Sequence, residues 1–81
     1  MTAPVKVGSL DIGDPDDPVI YAGIAIGDWQ RTDEARRLTE AGLAPTLWRL
    51  GVNGYSQTVE LWCEEYDPED LAIARLSGLI G

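Results

Sequence analysis

A chain of 81 residues with 14 carboxylates, six cations and a formal charge of −8 forms one small acidic domain and leaves no room for a second. It has no histidine and one cysteine, Cys63, which excludes an internal disulfide and the common zinc modules, so any fold must rest on packing. The negative field repels nucleic-acid phosphate and suits a basic protein surface or plain solubility. Direct nucleic-acid binding is therefore not expected.

The opening MTAPVKVGSL lacks a basic segment followed by an apolar one, and the longest apolar run, Val19 to Ile26, falls far short of the roughly 20 residues of a membrane span. A cytoplasmic protein without membrane contact is expected. Val5 to Ile12 reads as a strand whose apolar residues change face midway, so a bulge is expected near Gly8-Ser9. Gly13 to Pro18, with two prolines and three aspartates, reads as a turn joining this strand to the next. Val19 to Gly27 (VIYAGIAIG) then reads as the most apolar strand, placed centrally, with Gly23 and Gly27 marking close approach of another element.

Asp28 to Gly42 has helical signals: Asp28 and Thr32 both suit an N-cap, Gly42 suits the position after the last turn, and Pro45 forbids continuation. Trp29, Ala35, Leu38 and Ala41 would face inward, with Asp33–Arg37 and Arg36–Glu40 pairs on the wet side.

Thr46 to Glu64 is the most informative stretch. Asn53-Gly54 is a strong type I′ hairpin signal, because both central residues of that turn need positive φ. A two-residue loop there pairs Val52 with Tyr55, Leu50 with Gln57, Trp48 with Val59 and Thr46 with Leu61. Trp48, Leu50, Val52, Tyr55, Val59 and Leu61 then share the core face, while Leu47, Arg49, Glu60 and Trp62 point the other way. Asp67-Pro68-Glu69-Asp70 starts a second helix, with Leu71, Ala72, Arg75, Leu76 and Leu79 at helical spacing and Gly78 at its end. The expected fold is α+β, an antiparallel sheet of about four strands in ββαββα order, with two helices packed on it and at least one strand edge left open for self-association.

Function is less legible. Histidine, the commonest general base, is absent, no serine has a nucleophile-elbow context and the glycines make no phosphate loop, so no enzymatic activity and no cofactor are expected. Cys63 lies on core parity beside Leu61 and reads as a buried hydrophobe with a raised pKa. Asp11, Asp14, Asp16 and Asp17 lack calcium-loop spacing and read as a solvated turn. The run from Ala35 to Leu50 imitates a helix-turn-helix, but the hairpin signal and the charge argue against it.

What remains is an interaction protein: a small acidic adaptor or inhibitor that occupies a partner's surface, in the manner of virus-encoded counter-defence proteins or nucleic-acid mimics. The alternatives are a repeated subunit of a larger assembly, such as a viral particle, and a DNA-binding regulator. The expected partner site is the outer hairpin face, Leu47, Arg49 and Trp62, with the acidic residues Glu60, Glu64, Glu65 and Glu69 drawing a basic partner. The competing reading has the second helix folding over that face and making Trp62 an ordinary core residue.

Overall fold

The computed structural model describes residues 3–80. In chain order it holds β1 (Val5–Gly13), α1 (Pro18–Trp29), α2 (Asp33–Glu40), β2 (Leu47–Asn53), β3 (Ser56–Cys63) and α3 (Pro68–Leu76). The fold is α+β with an antiparallel sheet ordered β1-β3-β2, so β3 is central and both β1 and β2 are edges. Three strands and three helices among the described residues replace the expected four and two.

The difference lies in Val19 to Gly27, which is helix and not a central strand. Asp17 accepts a hydrogen bond from the Ile20 N–H at 3.3 Å, and Pro18 occupies the first turn, where a missing N–H costs nothing. A short apolar run cannot distinguish strand from helix by periodicity, and here the cap at Asp17-Pro18 decides. Ala22, Ile26 and Trp29 form the inward stripe. Gly23 and Gly27 meet nothing: a Cβ at either would face open space, which corrects the expected close approach.

Residues 28–42 are likewise not one helix. α1 ends at Trp29, whose carbonyl accepts from both the Thr32 N–H (2.9 Å) and the Thr32 hydroxyl (2.6 Å). The same hydroxyl accepts from the Ala35 N–H and caps α2, so of the two candidate starts Thr32 is used and Asp28 lies inside α1. Ala35 and Leu38 are buried, and Gly42 takes a φ of 78° after the last turn, as expected. Arg36 bridges Glu40 (3.2 Å) and Asp33 (3.4 Å), taking the place expected of Arg37.

The hairpin forms, but its loop is Gly54-Tyr55. Gly54 alone has positive φ (65°) and Asn53 does not, the pattern of a type II′ turn and not of type I′. Moving the loop one residue along slides every pair by two: Val52 faces Gln57, Leu50 faces Val59, Trp48 faces Leu61 and Leu47 faces Trp62. An even slide preserves the faces, because side chains alternate with period two. It also sets Arg49 directly opposite Glu60 instead of diagonal to it. Tyr55 leaves the core face for the turn, where it is fully exposed.

β1 shows register breaks between Lys6 and Gly8 and between Asp11 and Gly13. The first makes Val7 the extra residue, one position before the expected Gly8-Ser9 bulge, and lets Val7 be buried. α3 starts as read, with Asp67 accepting from the Glu69 N–H at 2.9 Å and Pro68 in the first turn. Its buried residue is Ala74, with Leu71 and Leu79 partly buried, whereas Leu76 is almost fully exposed.

One face of the sheet carries the core. Val59, Leu61 and Cys63 of β3 meet Trp29 and Ala22 of α1, Leu38 of α2 and Ala74 of α3 in a single buried cluster. All three helices therefore lie on the Val59–Leu61–Cys63 side. The opposite face, bearing Glu60 and Trp62, contributes nothing to that cluster.

Candidate functional site

On the outer face the sequence-derived residues come together. Leu47 and Trp62 are cross-strand partners, as are Arg49 and Glu60, and Lys6 of β1 flanks Trp62 from the other side. Arg49 donates from Nε to Glu60 Oε1 at 2.7 Å, and its guanidinium carbon stands 4.7 Å from the centre of the Trp62 ring. Lys6 Nζ approaches Glu60 Oε2 at 3.7 Å. The hydrogen bond from Arg49 comes first among the causes that hold the Glu60 carboxyl below its ordinary pKa, outweighing a smaller desolvation cost, with Arg49 and Lys6 charge adding to it.

The charges of this patch are paired within it. Arg49, the residue expected to meet a partner, already serves Glu60 and Trp62. Trp62 is half-buried by these neighbours and not by α3, whose buried Ala74 belongs to the opposite face, so Trp62 is not a core residue. Trp62 Nε1 is out of reach of solvent and has no hydrogen-bond partner of good geometry, though its N–H lies close enough to Glu60 to help hold the carboxylate ionised.

The remaining acidic residues divide. Glu64 bonds the Thr46 hydroxyl at 3.1 Å, while Glu65 and Glu69 are exposed around the β3–α3 connection. That connection lies at the Val5–Cys63 end of the sheet, and the Asp11 to Asp17 segment at the Gly13–Gln57 end. The two acidic groups are thus separated by the length of the strands. Asp11 accepts from the Gly13 N–H (2.8 Å) and Asp17 caps α1, so both have local structural work. Cys63 is buried, with its thiol donating to the Glu65 carbonyl at 3.3 Å; burial pushes its pKa up.

A second surface has no counterpart in the sequence reading. Trp48, Leu50 and Val52 do lie on the core side of β2, yet they are 40%, 38% and 78% exposed, because no helix reaches across to cover them. Beside them runs α1, whose Ile26 and Gln30 share a shallow cavity of about 190 Å³ with Trp48 and Leu61. The C-terminal end of α1, at Ile26 and the following Gln30, thus borders β2. Val19, Ile20 and Ile24 are each more than half exposed, and Ile20 and Ile24 lie on the side of α1 opposite Ala22 and Trp29. Between Asp17 and Asp28 α1 has no charge. A helix apolar on all sides belongs in a larger core or against another molecule.

The two sheet edges also differ. β1 carries two register breaks and Lys6, devices that discourage strand addition, whereas β2 runs in unbroken register from Leu47 to Asn53 with no proline, bulge or lysine. Comparison with family models, curated proteins and solved structures returns no match. Among the described residues no helix is long and apolar enough to cross a membrane, and no group of three or more acidic or cysteine side chains is placed to hold a metal ion. The signal that could have revealed the apolar surface was Asp17-Pro18, the same cap chemistry as Asp67-Pro68: with Val19 to Gly27 as helix, its apolar residues exceed what one core can bury.

Proposed function

We propose that this chain is a non-enzymatic interaction module, acting in the cytoplasm by occupying another protein surface. The observation that carries it is the exposed apolar area on α1, at Val19, Ile20 and Ile24, and on β2, at Trp48, Leu50 and Val52. Exposed apolar area of this extent on a small domain marks an interaction site more often than it marks nothing. The acidic residues lie around it and not within it, so they keep the molecule dispersed and steer basic partners, while affinity comes from apolar burial.

Ile24→Glu tests this reading. The side chain points away from the core, so the unfolding free energy should change by less than about 0.5 kcal/mol, while association, with itself or with a protein captured from the native host, should be lost. Destabilisation by several kcal/mol would place the surface inside the monomer core and end the proposal. A repeated structural subunit is the second reading, favoured by the unguarded β2 edge. Light scattering separates the two, since a subunit would grow into large assemblies with concentration and a module would stop at a small complex.

A further inference from the structure

Resting on that interaction reading, we infer that the partner at this surface is a second copy of the chain, added antiparallel along β2 to make a six-stranded sheet about a twofold axis at Leu50. The edge is the first reason. A two-residue hairpin loop is closed by residues that exchange hydrogen bonds across the ladder, here Asn53 and Ser56, so by alternation Leu47, Arg49, Gly51 and Asn53 bond to β3. Trp48, Leu50 and Val52 then turn their N–H and C=O groups outward. A β2 strand from another copy offers the same three residues, which makes the edge complementary to itself.

The side chains agree with that axis. Leu50 meets Leu50 of the partner subunit, and Trp48 meets Val52 of the partner subunit, so the exposed apolar row is covered by its own copy. On the other face Arg49 of the partner subunit falls opposite Gly51, where the missing Cβ, which would stand 3.3 Å from Glu60 Oε2, leaves room for the facing strand. The exposed fractions of Trp48, Leu50 and Val52 amount to roughly 300 Å² per copy at side-chain areas on the order of 150 to 250 Å², and the edge backbone adds to this, as in a small interface held by strand pairing. Two copies each carrying −8 repel, so the association is apolar and strengthens as salt screens that repulsion.

Three measurements on the full chain test the inference. Light scattering should give about twice the 8.8 kDa monomer mass, with the dimer persisting to greater dilution in high salt. In a Cys63→Ala background, Leu50→Cys should crosslink under mild oxidation, because directly opposed hydrogen-bonded residues have Cα atoms about 5.5 Å apart, inside the disulfide range. In the wild-type protein, which needs no variant to fold, amide exchange at Trp48, Leu50 and Val52 should be slow at dimer concentrations and fast on dilution. A dimer without the crosslink and without that protection overturns the β2 interface and leaves the interaction module standing. A monomer at all concentrations overturns the second copy; if it binds a host protein and Ile24→Glu abolishes that binding, the module reading survives. A monomer that binds nothing removes both.

Discussion

Arg49 and Glu60 face one another across β2 and β3, joined by a 2.7 Å hydrogen bond from Nε, and the same guanidinium lies over the Trp62 ring. The arrangement follows from a hairpin loop placed one residue beyond the Asn53-Gly54 site. Replacing Arg49 by lysine keeps the charge but loses the planar fork and the stacking, so the change is not conservative here. Arg49→Lys should lower the unfolding midpoint, and Arg49→Ala should lower it further, as followed by urea denaturation; equal midpoints for the wild type and both variants would show the patch to be ornamental.

Glu60 makes stability depend on acid. Its folded pKa is depressed, so its contribution is fully present above the ordinary glutamate value of about 4.3 and is lost as pH falls through the lower folded value. Glu60→Gln should therefore flatten the acid limb of a stability-against-pH curve, with the largest difference from wild type near neutrality. Identical acid limbs would remove Glu60 from the account.

The turn offers a sharper contrast. Gly54→Ala should cost about 1 to 2 kcal/mol, since φ is positive there, while Asn53→Thr should be tolerated, since Asn53 sits in an ordinary strand conformation opposite Ser56. A type I′ turn would punish both substitutions.

Core leucines and the edge tryptophan should behave differently. Leu61→Ala and Leu38→Ala, both fully buried, should each cost about 2 to 5 kcal/mol. Trp48→Ala should cost the monomer less, because the side chain is 40% exposed, and its main effect should appear in association. Chemical denaturation at dilutions below the association range measures the first quantity without the second.

Cys63 should resist thiol reagents in the folded state. Burial raises its pKa and hides the sulfur, so labelling at neutral pH should follow the unfolding equilibrium and accelerate in urea. Rapid labelling of native protein would contradict its burial.

Several features were readable from sequence because each rests on local chemistry. Asp67-Pro68 starts α3 and Thr32 caps α2 through side-chain oxygens only two or three residues from the N–H groups they serve. The hairpin faces were also legible: period-two alternation put Leu47, Arg49, Glu60 and Trp62 on one side, and a slide by two left them there. The register itself was not, because both Asn53-Gly54 and Gly54-Tyr55 make acceptable loops, and the choice falls to cross-strand pairs such as Arg49 with Glu60 and Trp48 with Leu61.

Tertiary structure decided the rest. Val19 to Gly27 satisfies strand and helix patterns alike, and its state was settled by the cap at Asp17 and by where Ala22, Ile26 and Trp29 find a core. Parity alone could say that Trp48, Leu50 and Val52 point toward the helical side, but not whether a helix stands there. α1 packs toward β1, and the three side chains stay exposed. Alternation reports direction, whereas burial depends on how far neighbouring elements reach, and that distance is a property of the assembled domain.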